Sequence, residues 1–166
     1  QHGFRVEAEI EFDHPLIGKQ ALALDIEPES FRTEIARART FGFMKDVAQL
    51  WSAGYALGAS FDNTLVVSED RVLNPEGLRF ADEFVRHKVL DAVGDLALAG
   101  LPLIAAYKTV RGGHKLNHAV LSALMADTSA WRVVEAAEGP TRRGRAQSQG
   151  QPAPGIVAPA YGPDVT

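Results

Sequence analysis

The sequence of 166 residues contains no cysteine. Disulfide bonds, cysteine-rich zinc sites and thiol catalysis are therefore excluded for this chain. No apolar run approaches the roughly 20 residues that a membrane-spanning helix needs, and the first residues carry no charged-then-apolar signal pattern. Lysine and arginine total 17 against 21 acidic residues, a net charge of −4. We expect neither a transmembrane segment nor a nucleic-acid partner, because nucleic-acid-binding surfaces are usually basic.

The composition is that of a globular domain. Hydrophobic residues make up 46% and charged residues 23% of the chain, which is close to the average and excludes wholesale disorder and a fibrous repeat. The length suits one domain with a sizeable core. Because the chain begins with Gln1 and enters a strand-like pattern at once, we expect it to be a fragment of a longer protein.

Alternating apolar and polar residues predict two strands near the N-terminus. Residues 4–12 have period two, with Phe4 to Phe12 apolar at every second position and charged residues between them. The segment Asp13-His14-Pro15 interrupts this pattern, and residues 21–26 alternate again. A short loop between two such runs indicates an antiparallel pair.

The rest of the chain alternates between helical and strand-like patterns. We predict a helix from Pro28, a strand or bend at 39–43, a helix at 44–54, a strand at 64–67, a helix at 81–99, a strand at 103–110, a helix at 115–126 and a last strand at 131–134. The sum is one α+β domain, over residues 1–136, with strands and helices in two layers.

The last 30 residues differ in character. From Ala137 onward glycine and proline recur and large apolar residues almost vanish. Such a segment buries too little surface to offset chain entropy, so we predict a disordered tail over 137–166. Its Arg142, Arg143 and Arg145 are compatible with an anionic surface, although a solvated tail is the simpler interpretation.

A possible metal site lies on the longest predicted helix. His87, Asp91 and Asp95 are spaced by four residues, so they share one stripe of the helix beside an apolar stripe. An imidazole and a carboxylate one turn apart can hold one metal ion, and Zn²⁺ suits them best. The alternative is a hydrogen-bonded surface pair, which this spacing also produces.

A second constellation precedes the last helix. Arg111-Gly112-Gly113-His114 combines a cation, two glycines and a helix N-terminus, which together favour an anion such as phosphate. Two glycines before a helix are also ordinary turn chemistry. His114 is either a general acid or an exposed turn residue, and we expect His118 on the helix surface.

Seven segments, in this order, resemble one family. They are Glu11-Phe-Asp-His-Pro15, Ala38-Arg-Thr-Phe-Gly-Phe43, Leu57-Gly-Ala-Ser-Phe-Asp62, Val72-Leu-Asn-Pro-Glu-Gly-Leu-Arg-Phe80, Glu83-Phe-Val-Arg-His-Lys88, Leu90-Asp-Ala-Val-Gly-Asp95 and Gly113-His114. Over residues 3–134 the chain resembles the C-terminal domain of the UDP-3-O-acyl-N-acetylglucosamine deacetylases, the zinc amidases of lipid A biosynthesis. The resemblance implies a mixed β-sheet packed on helices, with an inserted β-α-β unit at about 43–67.

The resemblance also assigns catalytic roles. It implies that His87 and Asp91 are two zinc ligands. His114 is expected to act as general acid or to stabilise the oxyanion, and Asp95 to orient it and raise its pKa. Thr40 matches a threonine that hydrogen-bonds the tetrahedral intermediate.

The resemblance also implies substrate-binding residues. Lys88 matches a lysine that meets the pyrophosphate, and Phe12 an aromatic that packs on the uracil. Phe41, Arg111 and Gly113 are further expected substrate-binding residues. An apolar passage for the acyl chain is expected to be lined by Met44, Val47, Ala56, Ser60 and Val66. A plain amphipathic core helix is the alternative for this last set.

The implied reaction is zinc-dependent hydrolysis of the N-acetyl amide, giving acetate and a free amine, in the cytoplasm of a Gram-negative bacterium. The family's third zinc ligand and its catalytic glutamate belong to an N-terminal domain, which we expect this chain to lack and to need for turnover. Arg111, Gly112 and Ala59 depart from the commonest family residues. Two alternatives remain, a non-catalytic relative that binds a UDP-sugar or lipid, and an interaction domain that keeps only the fold.

Overall fold

A computed structural model describes residues 3–135, apart from the side chains of Ala48 and Trp51. Strands β1 (Phe4–Glu11) and β2 (Lys19–Ile26) form an antiparallel pair in which Phe4 faces Ile26. Strand β5 (Ala105–Val110) runs parallel to β1, so the sheet order is β2-β1-β5. The predicted hairpin is confirmed, and β2 begins two residues earlier than its alternation indicates.

A smaller unit lies between the first hairpin and the long helix. Strand β3 (Thr40–Phe43) leads into helix α2 (Met44–Ser52), and strand β4 (Thr64–Val67) pairs parallel with β3. This is a β-α-β arrangement in which a helical crossover joins two parallel strands. The segment 39–43, which the sequence left as a strand or a bend, is a strand because β4 supplies its hydrogen-bonding partner.

The core lies between the three-stranded sheet and helix α3 (Glu83–Leu96). The alternation of β1 buries Val6, Ala8 and Ile10 against the helix, whose Val85 and Val89 are fully buried. Helix α4 (His114–Ala126) packs on α3. Sheet and helices thus form the two layers of an α+β sandwich with a mixed sheet, as expected.

Three predicted elements differ in their bounds or nature. The helix that begins at Pro28 is one turn, α1 (Pro28–Ser30), followed by a π-helical segment at Phe31–Ile35. Helix α3 is shorter than 81–99, and its last three predicted residues form a 3₁₀ turn. Strand β5 starts at Ala105 rather than at residue 103.

The last strand, predicted at Trp131–Val134, is wrong. After α4 the chain turns at Asp127–Ala130, where the amide of Ala130 donates to the carbonyl of Asp127. Residues 131–135 have no regular structure, and Val133 is 66% exposed. A β-branched run becomes a strand only where another strand offers its free edge. The predicted tail lies outside the described residues, and within residues 3–135 no helix has the length and apolar character needed to cross a bilayer.

Candidate functional site

Four polar side chains follow one stripe of α3. Glu83, His87, Asp91 and Asp95 are spaced by four residues, so each lies one turn beyond the last. The side chains of His87, Asp91 and Asp95 are 15%, 14% and 12% exposed. They therefore sit at the edge of the core, as the sequence predicted, and are not a freely solvated surface pair.

The ring of His87 is held by a backbone carbonyl. Its Nδ1 lies 3.2 Å from the oxygen of Ala38, and because a carbonyl only accepts, Nδ1 is the donor. The other nitrogen, Nε2, lies 3.1 Å from Oδ1 of Asp91. In the neutral ring a lone pair therefore faces a carboxylate, and a cation has to lie between them, either a proton or a metal ion.

This pair fits a zinc ion on chemical grounds. Metal-bound histidines typically donate their second ring N–H to a carbonyl or carboxylate, as His87 does. The separation of Nε2 from Oδ1 is close to the roughly 3.3–3.5 Å between neighbouring ligands of tetrahedral zinc. Among residues 3–135 no group of three histidine or acidic side chains is arranged to hold a metal ion. The pair of His87 and Asp91 is therefore at most part of a metal site within the described residues.

The charge of Asp91 is stabilised although its side chain is largely buried. Burial acts to raise the pKa of Asp91, but the hydrogen bond from His87 and the positive charges of His87, His114 and Lys88 outweigh it. The pKa of Asp91 lies below its usual range as a result. The carboxylate is thus ionised at neutral pH, the state in which it can bind a cation.

His114 stands on the other side of Asp91. It is the first residue of α4, and its Nδ1 lies 2.8 Å from Oδ2 of Asp95, which must accept. Its Nε2 lies 3.9 Å from Oδ2 of Asp91. The carboxylate of Asp95 therefore fixes the ring so that Nε2 faces the possible metal ligands, an arrangement suited to proton transfer.

Two residues that the sequence did not indicate complete this arrangement. Asn117 is 2% exposed, donates its amide to Oδ2 of Asp95 at 2.9 Å and accepts from the hydroxyl of Tyr107 at 2.7 Å. The helical spacing of Asn117 from His114 was the available signal, since i and i+3 share a face. Tyr107, on β5, gave no signal in sequence.

His118 lies on the helix surface, as expected, and also contacts Asp95. It is 52% exposed, as expected for a helix surface, but its Nε2 lies 3.1 Å from Oδ1 of Asp95. One carboxylate thus accepts from two histidines and an asparagine. Only His114 among these three also approaches Asp91.

A cleft of about 380 Å³ opens beside this group. Its lining residues are Ile10, Glu11, Phe12, Asp13, Lys88, Arg111 and Gly112. Of the expected substrate-binding residues, the fold brings Phe12, Lys88 and Arg111 together here. A side chain at Gly113 would come within 3.9 Å of Lys88 Nζ, so Gly113 borders the same cleft.

The backbone at the cleft is unusual. Arg111 has φ of 52°, in the left-handed region that residues other than glycine rarely adopt. Its amide donates to the carbonyl of Glu9 at 2.7 Å, and its guanidinium lies 3.7 Å from the carboxylate of Glu11. A Cβ at Gly112 would overlap Oγ1 of Thr109. Such local strain is found most often at functional sites.

An aromatic cluster of Phe12, Phe41 and Phe84 packs next to the cleft. The ring of Phe41 packs edge-to-face on Phe12 at 5.5 Å and on Phe84 at 5.1 Å. The ammonium of Lys88 lies 5.9 Å from the ring centre of Phe41. Phe41 is thus placed to position Phe12 and Lys88.

Thr40 and the residues expected around an acyl chain lie along the β-α-β unit. Thr40 is exposed at the start of β3. The remaining set divides into exposed Met44, Ala56 and Ser60 and half-buried Val47 and Val66. They occupy α2, β4 and the connection between them, so the fold places them on one unit.

A buried ion pair is a feature that sequence reasoning missed. The side chains of Arg39 and Glu83 are 1% and 0% exposed, and Nε of Arg39 lies 2.9 Å from Oε1 of Glu83. The only signal was the position of Glu83, four residues before His87. The pair joins the start of β3 to the start of α3.

Comparisons with known proteins identify one family. Residues 1–126 match the model of the UDP-3-O-acyl N-acetylglycosamine deacetylase family. Proteins named UDP-3-O-acyl-N-acetylglucosamine deacetylase from Brucella ovis, Brucella canis and Brucella suis are each 58% identical to this chain over 135 residues. The matched region is 81% of this chain and 47% of each relative. The chain spans about half the length of the curated relatives it matches.

Proposed function

Because this chain belongs to the UDP-3-O-acyl N-acetylglycosamine deacetylase family, we propose that it forms part of an enzyme that hydrolyses the N-acetyl amide of UDP-3-O-acyl-N-acetylglucosamine. The products are acetate and a free glucosamine amine, and the reaction belongs to lipid A biosynthesis in the cytoplasm. The observation that carries the proposal is the convergence of His87, Asp91 and the His114–Asp95 pair beside a cleft lined in part by Lys88 and Arg111.

His87 and Asp91 would hold a Zn²⁺ ion through Nε2 and a carboxylate oxygen. When bound, zinc supplies Lewis-acid polarisation of the amide carbonyl and lowers the pKa of water towards about 7. The hydrogen bond from Nδ1 of His87 to Ala38 places the lone pair of the neutral ring on Nε2, which faces this position. The third ligand and the catalytic base would come from the half of the enzyme outside this chain.

His114 would handle the proton of the leaving amine. Asp95 accepts from Nδ1 and holds the ring so that its protonated form would present Nε2–H to the departing nitrogen. Donation of that proton to the departing nitrogen makes it a neutral leaving group. The same positive charge, together with the hydroxyl of Thr40, would stabilise the negative oxygen that forms on the amide carbon.

The cleft would take the charged part of the substrate. Lys88 and Arg111 would bind the pyrophosphate, and Gly113 would let it approach the backbone at the start of α4. Phe12, supported by Phe41, would pack on the uracil. The acyl chain would run along the β-α-β unit past Met44, Val47, Ala56, Ser60 and Val66.

The remaining half would also cover exposed apolar surface. Leu116 and Val120 on α4 are 53% and 46% exposed, and Ile104 just before β5 is 57% exposed. Leu116 and Val120 are one helical turn apart, and exposed apolar side chains on one helix face are typical of an interaction site. We propose that the half outside this chain packs there and thereby completes the zinc site.

The test is release of acetate. This chain is mixed with the separately produced N-terminal half of the Brucella ovis relative, and acetate release from UDP-3-O-acyl-N-acetylglucosamine is assayed with and without Zn²⁺. We expect turnover only with both halves and zinc. Two folded halves that bind each other and release no acetate would contradict the proposal. Retained UDP binding without zinc would instead indicate a non-catalytic relative.

A further inference from the structure

The peptide group between Ala38 and Arg39 is held from both ends by side chains of α3. Its carbonyl accepts from Nδ1 of His87 at 3.2 Å, and its N–H donates to Oε1 of Glu83 at 3.0 Å. Glu83 and His87 are one helical turn apart. Because a peptide group is planar, a bond that fixes its N–H also fixes the direction of its carbonyl.

Glu83 is itself immobilised by several donors. Besides the amide of Arg39, it accepts from Nε and Nη2 of Arg39 at 2.9 and 3.2 Å. The amide of Arg79 donates to its Oε2 at 2.6 Å. Both carboxylate oxygens therefore have two donors each, and the side chain has one arrangement open to it.

Arg39 is equally constrained. Its guanidinium has five N–H donors, and the structure gives each an acceptor. In addition to Glu83, these are the carbonyls of Phe61 and Gly77 and the carboxylate of Glu76. A pair so completely bonded, and fully buried, allows little movement of the peptide that it holds.

The rigid peptide group also constrains His87, the metal ligand that we propose. The position of the Ala38 carbonyl decides which nitrogen of His87 bears hydrogen and how the ring is turned. We propose that Glu83, through Arg39 and the peptide between residues 38 and 39, is a positioning residue that presents Nε2 of His87 to the metal. This inference rests on the proposed function, since it concerns affinity for zinc. It adds a role for a buried ion pair that touches neither metal nor substrate.

The experiment compares conservative variants in the protein that joins this chain to the half its relatives carry. Glu83→Gln keeps the size of the side chain but loses two acceptor positions, and Arg39→Lys loses the two-point contact. Zinc affinity is measured by competition with a chelator. The tautomer of His87 is read from long-range ¹H–¹⁵N spectra of the metal-free protein labelled at histidine, with the signal assigned by a His87→Gln variant.

We expect both variants to lower zinc affinity about 10- to 100-fold, the usual effect of losing a partner of a metal ligand. We also expect the metal-free ring to carry hydrogen on Nε2 in part of the molecules. Glu34→Gln is the matched control, because it removes the acidic charge that Arg86 of α3 contacts at 2.7 Å. It should keep wild-type affinity and the Nδ1–H ring.

A second control, Val85→Ala, separates a general loss of stability from loss of the positioning role. It removes buried volume from α3 without changing a residue that bonds the peptide group between Ala38 and Arg39. If it loses as much zinc affinity as Glu83→Gln at an equal loss of unfolding free energy, the positioning role is overturned. A folded Glu83→Gln or Arg39→Lys variant with wild-type affinity and an unchanged ring overturns it as well. If the wild type binds no zinc, the proposed function fails, and the tautomer measurement decides the inference by itself.

Discussion

Asn117 donates its side-chain amide to Asp95 at 2.9 Å from a position that is 98% buried. This contact and the one that it receives from Tyr107 connect β5, α4 and α3 at one carboxylate. Asp95 cannot turn away from His114 without breaking them. Asn117 and Tyr107 thus help to fix the orientation of His114 through the carboxylate of Asp95.

Replacing Asn117 tests this connection. Asn117→Leu has a similar volume but removes the acceptor of the Tyr107 hydroxyl and one of the three donors to Asp95, so that only the two histidines remain on that carboxylate. We expect a loss of about 1–3 kcal/mol in unfolding free energy and, in the protein that joins this chain to the half its relatives carry, reduced acetate release at saturating substrate. Tyr107→Phe removes only the hydrogen bond from Tyr107 to Asn117 and should lower the unfolding free energy and acetate release by less. Wild-type turnover by a folded Asn117→Leu variant would refute the connection.

The two histidines on Asp95 should differ sharply in importance. His114→Gln is expected to lower kcat by about 10²- to 10⁴-fold, the range for loss of a general acid, while the zinc content stays at the wild-type level. His118→Gln removes a bond to the same carboxylate but lies 52% exposed, so its effect on kcat should be far smaller. Equal losses in the two variants would exclude a special role for His114.

Zinc content provides a third prediction. His87→Ala removes a ligand from the edge of the core, so the fold should survive, whereas the zinc bound per molecule should fall to background in elemental analysis. His14→Ala is the control, because His14 bonds the carbonyl of Ser68 at 3.0 Å in another part of the fold. Wild-type zinc content in His87→Ala would show that this residue is not a ligand.

Acid should destabilise the protein through Glu83. Burial acts to raise the pKa of Glu83, but hydrogen bonds from the side chain of Arg39 and the amides of Arg79 and Arg39, with the charge of Arg39, outweigh it. The folded-state pKa of Glu83 is therefore below its ordinary value of 4.5. The carboxylate contributes stability above that value, and the contribution is lost as pH falls through the folded-state pKa.

Urea unfolding between pH 7 and pH 3 measures this effect. The free energy of unfolding should decline more steeply with falling pH in the wild type than in Glu83→Gln, because the variant lacks the titrating group. Other carboxylates titrate in both proteins and cancel in the difference. Parallel curves would mean that the pKa of Glu83 is the same folded and unfolded.

Lys88 provides a test of the pyrophosphate position that we propose. Lys88→Ala removes a charged donor, and we expect KM for the UDP substrate to rise about 10- to 100-fold, equivalent to about 1.5–3 kcal/mol. Lys108→Ala removes an exposed cation from the outer face of β5 and should leave KM unchanged. Equal KM values in the two variants would place the pyrophosphate elsewhere.

The sequence by itself determined most of the elements and the stripe on α3. Helical and strand periodicity depend only on local backbone geometry, so the spacing of His87, Asp91 and Asp95 fixed their common face before any packing was known. Family motifs likewise made His114 and Lys88 candidates for the site. The alternation of β1 correctly indicated its buried face.

Only the tertiary structure decided which partners these residues meet. Ala38 lies 49 positions from His87, and Arg39 lies 44 from Glu83, so no local pattern could join them. The same reason explains the error at Trp131–Val134, because whether a strand-like run pairs with another strand depends on the packing of distant segments. Periodicity determines which way a side chain points, and packing of distant segments determines what it touches.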